Sequence, residues 1–116
     1  MLFIEYPKCS TCQKAKNYLI NNHIDFIDRD IKLNTPTIDE LKEFIIKSGL
    51  DIKKFFNTSG LVYKDLNLKE KLLNLSFEEQ LTLLSSNGML IKRPLLITDN
   101  KVLVGFKEKE WDNLLK

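Results

Sequence analysis

Apolar and polar positions follow two rhythms along this chain, and the switches between them outline its elements. Leu2-Phe3-Ile4-Glu5-Tyr6 is a short apolar run halted by Pro7, the pattern of a buried strand that ends where the backbone must turn. Beyond it Ala15, Tyr18, Leu19 and Ile20 recur at helical spacing with Lys and Asn between them, which predicts a helix of about three turns. Ser10 or Thr11 can cap that helix, and Asn21-Asn22 breaks it. Ile24, Phe26 and Ile27, set among Asp25, Asp28, Arg29 and Asp30, then predict a second strand ending near Ile31.

The middle of the chain changes to a helical rhythm. Thr37, three residues before Glu40, opens a helix with a capping box; Leu41, Phe44 and Ile45 form its apolar stripe and Gly49 its stop. "LDIKKFFNTSG" predicts a short helical turn, with Phe55 and Phe56 in the core, running into a polar loop. "NLKEKLLNL" and "SFEEQLTLLSSNG" predict two more helices, the second capped by Ser76 with Glu79 and stopped at Gly88. Leu95 to Thr98 and Val102 to Val104 flank Asp99-Asn100-Lys101 as a hairpin, and the last ten residues form an amphipathic helix that buries Trp111, Leu114 and Leu115. The layout is strand–helix–strand, about four helices, then strand–strand–helix. With no repeat and no Pro/Gly/Ser-rich linker, one domain over 1–116 is expected, with the helical block at about 37–88 as an insertion packed on one sheet.

The 116 residues are 43% hydrophobic and 29% charged, enough to build a core without disulfide or metal staples. Lys and Arg number 18 against 16 Asp and Glu, and the signs are interspersed, so the chain lacks the basic stripe of a surface that grips nucleic acid directly. No apolar run approaches the roughly 20 residues of a membrane span, and the first residues lack the pattern of a signal peptide. A cytoplasmic protein without membrane contact is expected.

In a reducing compartment two cysteines are poorly suited to a permanent crosslink. Here the two lie three apart in "YPKCSTCQKAK". Cys9 falls on the loop just before, or at, the helix N-terminus, and Cys12 one turn inside. Unpaired amides and the positive end of the helix dipole favour a thiolate there, lowering a thiol pKa from about 8.5 toward roughly 3.5 to 7.5. On that placement Cys9 is the nucleophile, and Cys12 is the resolving thiol that attacks a mixed disulfide on Cys9. Two rivals stand beside this reading. Structural zinc needs four ligands, whereas the chain offers two cysteines and His23, so no metal site is expected; two inert buried thiols are the other alternative.

A second group of interest is "IKRPLLITD". Pro94 stands at the start of a strand, where a cis bond is tolerated, and both isomers are open. Arg93 can hold a carboxylate or oxyanion near Cys9, support its thiolate, or stand as a solvated cation. His23, at a helix end, is expected on the surface without a catalytic role, and Lys14 and Lys16 are expected to be solvated, with Lys8 or Lys14 able to add positive potential near Cys9.

Taken together, "YPKCSTCQKAKNYL", "FFNTSGLVYKDL" and "IKRPLLITDNKVLVGF" resemble the arsenate reductase-like (ArsC/Spx) family, over essentially the whole chain. The resemblance implies an α/β fold: a thioredoxin-like mixed four-stranded sheet with a helical insertion between its β-α-β and β-β-α parts. It implies that Cys9 is the reactive cysteine and Arg93-Pro94 the Arg-Pro step of the family. A cis proline at that step would lie against the cysteine loop, with Pro94, Ser10 and Thr11 shaping the substrate surface. Glutaredoxin-linked arsenate reductases bind their oxyanion with three arginines; Arg93 matches one, and Asn57 and Phe106 stand where the others would fall. Spx-type regulators bind the C-terminal domain of the RNA polymerase α subunit through cations, where this chain has Ser59 and Leu61. The expectations are therefore a thiol-disulfide redox protein first, a redox-sensing regulator bound to the RNA polymerase α subunit second, and a glutaredoxin-dependent arsenate reductase third. Each needs no resident cofactor. The partner expected of a monomer of this kind is a thiol reductant or protein disulfide: a glutaredoxin- or thioredoxin-like protein, or a low-molecular-weight thiol.

Overall fold

The computed structural model describes residues 1–116. In chain order it contains β1 (Leu2–Glu5), α1 (Ser10–Asn21), β2 (Ile27–Asp30), α2 (Ile38–Ser48), α3 (Leu61–Asp65), α4 (Leu68–Lys71), α5 (Phe77–Ser86), β3 (Leu95–Ile97), β4 (Val102–Val104) and α6 (Glu108–Leu115), with single 3₁₀ turns at Ile52–Phe55, Leu72–Asn74 and Gly88–Leu90. The four strands form the expected mixed sheet in the order β2-β1-β3-β4. β1 runs parallel to β2, joined through α1, and antiparallel to β3, with Ile4 opposite Arg29 on one side and Leu95 on the other. A parallel pair needs a crossover of this kind, so α1 is held against the sheet by its own connections.

Period-two alternation in β1 sends neighbouring side chains to opposite faces. Ile4 joins a core of 18 buried residues built with α2, α5 and the segments between them, whereas Phe3 joins a set of six on the other face: Phe3, Ala15, Tyr18, Leu19, Leu96 and Trp111. The helical block thus supplies the larger core, and α1 with α6 seals the second. Trp111 is completely buried, its ring centroid 4.9 Å from Phe106 and 5.9 Å from Tyr18.

Several elements form as the pattern predicts. Thr37–Glu40 and Ser76–Glu79 are true capping boxes, and Gly49 ends α2 in a left-handed conformation. Others differ. β2 starts only at Ile27 because the Ile24 amide still donates to the Leu19 carbonyl, closing α1, while Ile24 and Phe26 pack on the smaller core. The polar loop after Phe56 forms over Asn57 to Gly60, and the residues that follow it, given no element by the pattern, form α3, which draws Tyr63 into the core against Phe56. "NLKEKLLNL" is one α turn plus one 3₁₀ turn, burying Leu68 and Leu72 and leaving Leu73 exposed. Neither Ser10 nor Thr11 caps α1; Cys9 occupies the N-cap. Lys16 is not simply solvated: its ammonium lies 2.6 Å from Asp28 on β2. No helix is long and apolar enough to cross a membrane.

α5 ends at Asn87, whose side chain accepts from the Met89 amide, so Gly88 is not the stop the pattern suggested. It is needed for another reason. A Cβ at Gly88 would stand 2.2 Å from the Ile31 carbonyl oxygen, so the backbone after α5 passes the end of β2 closer than any side chain allows. Gly88→Ala should therefore lower unfolding free energy by about 2 kcal/mol, the usual scale of overpacking, as measured by urea denaturation.

Candidate functional site

The site begins with a turn. Pro7 and Lys8 follow β1, the Cys9 amide donates back to the Tyr6 carbonyl at 2.9 Å, and the Gln13 amide donates to the Cys9 carbonyl at 3.0 Å, so Cys9 closes the turn and opens α1 at once. At an N-cap, a side-chain acceptor normally faces the unpaired amides of the first turn. No side-chain oxygen does so here. The sulfur of Cys9 faces the amides of Thr11 and Cys12 instead, and the Cys12 thiol donates toward that sulfur.

The two thiols have opposite settings. Cys9 is half-buried and Cys12 completely buried. Burial is the largest single influence on Cys9 and opposes ionisation, yet the Cys12 amide, the Cys12 thiol, the Thr11 amide and the charge of Arg93 together outweigh it. The Cys9 pKa lies below that of an ordinary thiol. For Cys12 burial dominates and pushes the pKa up to about 12. The Tyr6 amide and Arg93 pull the other way, but the hydrogen bond to Cys9 and the Cys9 charge reinforce burial. One thiol is thus poised to lose its proton and the other to keep it.

Arg93 is fixed from three sides. Its Nη1 makes long hydrogen bonds to the carbonyls of Met89 (3.4 Å) and Ile91 (3.3 Å), and its guanidinium carbon lies 5.4 Å from the centroid of the Tyr6 ring. Its Nε is buried without a hydrogen-bond partner. The following Arg93–Pro94 peptide is cis, and the Pro94 carbonyl accepts from the Gly105 amide at 2.8 Å.

Cys9 opens onto a cavity of about 500 Å³. One wall is the segment after Phe55, tied to the segment leading into Arg93 by an isolated Phe56–Ile91 bridge and by the Lys92 amide donating to the Phe55 carbonyl at 2.7 Å; it presents Asn57, Ser59, Gly60 and Leu61. The opposite wall is Val104 to Lys107, which turns at Gly105, whose φ of 75° suits glycine, and is held by the Trp111 indole N–H donating to the Gly105 carbonyl. Lys92, Arg93 and Lys107 line the cavity and no carboxylate does, so it is cationic.

Of the residues singled out in the sequence, Cys9, Thr11 and Arg93 line this cavity; Cys12 lies beneath it, and neither Ser10 nor Pro94 reaches its surface. Asn57 and Phe106 both line it. His23 is away from it, at the end of α1 with φ 56°. No three His, Cys, Asp or Glu residues converge as a group able to hold a metal. Sequence reasoning passed over Lys92 and Lys107. These lysines carry no spacing signal and are recruited by tertiary packing.

Comparison with known proteins agrees with this geometry. Residues 4–114 match the ArsC family. The chain is 53% identical over 112 residues to the uncharacterized protein YusI of Bacillus subtilis, covering 97% of this chain and 95% of that one. It is 30% identical to the global transcriptional regulator Spx 2 of Bacillus cereus, over 88% of this chain and 76% of that protein. The crystal structure of an ArsC family related protein from Bacteroides fragilis superposes with a TM-score of 0.94 at 57% identity, covering 97% and 95% of the two chains.

The opposed thiols yield a direct expectation. Thiolate absorbance near 240 nm should titrate for Cys9 at a pH below that of a free cysteine. In Cys12→Ala, which deletes the thiol donor, the midpoint should move upward, since a folded-state interaction that favours the anion has been lost.

Proposed function

We propose that this chain, which belongs to the ArsC family, is a thiol–disulfide exchange protein in which Cys9 attacks and Cys12 resolves. The observation that supports this most strongly is the pairing of an ionisable, cavity-facing sulfur with a buried, protonated one that hydrogen-bonds to it. The Cys9 thiolate attacks a substrate disulfide, forming a Cys9–S–S–R bond and releasing the other half as a thiolate. In that intermediate Cys9 has lost its negative charge, so one of the influences that hold the Cys12 proton is gone. Cys12 then loses its proton to solvent and attacks Cys9; the Cys9–Cys12 disulfide forms, the Cys9–S–R bond breaks, and R leaves as a thiolate. Two electrons have passed from the protein to the substrate. An external reductant, a low-molecular-weight thiol or a glutaredoxin- or thioredoxin-like dithiol, restores the pair.

Arg93 supports the Cys9 thiolate, and its charge, with those of Lys92 and Lys107, favours substrates that carry acidic groups beside the disulfide. Free arsenate suits the cavity less well. Asn57 and Phe106 replace two charge-assisted donors by a neutral amide and a ring, forfeiting contacts worth about 1.5 to 3 kcal/mol each.

The similarity to Spx 2 supports a second reading, a regulator that uses the same dithiol as a switch while bound to RNA polymerase. Against it stand Ser59 and the exposed Leu61, where that binding would call for cations.

Three measurements separate these roles. Cys12→Ser should accumulate mixed disulfides on Cys9, seen by mass spectrometry after non-reducing capture, whereas Cys9→Ser should accumulate none. Arsenate-dependent NADPH oxidation, coupled through glutathione and glutaredoxin, should stay at background. A pull-down with the C-terminal domain of the RNA polymerase α subunit should be empty in both redox states; retention in either state would favour the regulator.

A further inference from the structure

A second hollow adjoins the cavity at Cys9. It measures about 470 Å³ and lies between the outer face of α1 and the start of α6, with Lys14, Asn17 and Asn21 on one side and Phe106 and Glu108 on the other. Phe106 lines both hollows and forms the saddle between them. Its ring meets Trp111 at 4.9 Å and Tyr18 at 5.6 Å, edge to face, so packing holds this apolar saddle in place.

α1 joins the two hollows a second time. Thr11 lines the first, and Lys14, Asn17 and Asn21 follow it at the three- and four-residue intervals of one stripe along a helix. All four are exposed, whereas Cys12, Ala15 and Leu19 on the inner face are buried. Two of the four are asparagines, weaker helix formers than the lysine, glutamine or glutamate that suits a solvated face. A carboxamide sets an acceptor and donors side by side, the complement of a peptide group.

Length separates the ligands that can use both hollows from those that cannot. Asn21 ends α1, whose 12 residues rise about 18 Å from the Cys9 cap. A tripeptide thiol spans at most about 10 Å and ends in the first hollow. An extended chain covers the whole distance in roughly five or six residues. Charge differs along the path: Lys92, Arg93 and Lys107 line the first hollow without a carboxylate, while the second sets Lys14 against Glu108 and is near neutral.

We infer that the disulfide this chain reduces belongs to a polypeptide. Its cysteine enters the cavity with acidic residues beside it, and its flanking chain runs extended over Phe106 and along α1, where Asn17 and Asn21 meet its peptide groups. This rests on the exchange reading above and names the substrate class for it. The step balances as before: the Cys9 thiolate bonds to the partner's sulfur, and the other sulfur of the broken disulfide departs with the electron pair.

The test compares two synthetic cysteine peptides on the full-length reduced protein, each activated as its mixed disulfide with 5-thio-2-nitrobenzoate. One is the tripeptide Glu-Cys-Glu; the other extends it with glycine and serine to roughly five residues on each side of the cysteine. Attack of Cys9 on the peptide sulfur forms Cys9–S–S–peptide and releases nitrothiobenzoate, followed by stopped-flow absorbance near 412 nm. At limiting peptide the long form should react on the order of tenfold faster than the short one, and Asn17→Ala/Asn21→Ala should bring that ratio to within about twofold. Alanine is the best helix former, so the exposed stripe tolerates the change, and circular dichroism checks the fold. Equal rates for the two peptides in the wild type, or a ratio undiminished in the double variant, would overturn the inference and leave the exchange reading standing. Release from neither peptide above the rate of free cysteine would overturn both.

Discussion

The structure depends on one local arrangement: a helix whose N-cap side chain is a sulfur. Pro7 ends β1, the Cys9 amide turns back to Tyr6, and α1 begins with Cys9 in the position where serine, threonine or aspartate would normally satisfy the first amides. Those amides act on the sulfur instead and stabilise it as an anion. The same helix turn then places Cys12 three residues on, pointing inward and completely buried. The helix start that favours charge on one thiol therefore suppresses it on the other. Everything chemical in the molecule follows from holding this turn rigidly against the sheet.

The rest of the fold is the holder. α1 is anchored by the parallel β1–β2 crossover and by the aromatic set around Trp111, whose indole N–H also fixes the turn carrying Phe106. The helical block between β2 and β3 brings Asn57 to Gly60 to the cavity through the Phe56–Ile91 bridge. Arg93 is stacked on Tyr6 and tied to the end of that block. Separate parts of the chain thus converge on the cavity at one sulfur, and the first amides of α1 and the charge of Arg93 both favour its anion. The bidentate Arg29–Glu40 pair, at 2.7 and 2.9 Å, joins β2 to the start of α2 and holds the Glu40 carboxyl down at about 2, so this link persists across neutral pH and weakens only in acid, as Glu40 protonates.

What the sequence makes legible follows the range over which each signal acts. Capping boxes at Thr37 and Ser76, the Pro7 stop and the Asp99-Asn100-Lys101 hairpin are local, and they form as the pattern predicts. The short helix α3 after the Asn57–Gly60 loop carries no such local signal, and packing of Tyr63 on Phe56, a tertiary effect, accompanies it. Cys9 and Cys12 are visible by spacing, and Arg93 by its neighbour Pro94. Asn57 and Phe106 enter through resemblance, and the structure brings both to the cavity. Lys92 and Lys107 are invisible beforehand because nothing in a run of lysines marks which ammonium will face inward.

The account's central claim is that Cys9 and Cys12 form one two-electron couple. The direct measurement is a redox titration of the full chain in glutathione buffers, with thiol state read by alkylation and mass. It predicts a single transition from two free thiols to one intramolecular disulfide, two mass units lighter, with a defined midpoint. Accumulation of a Cys9–glutathione adduct with Cys12 still free across the whole range would contradict it.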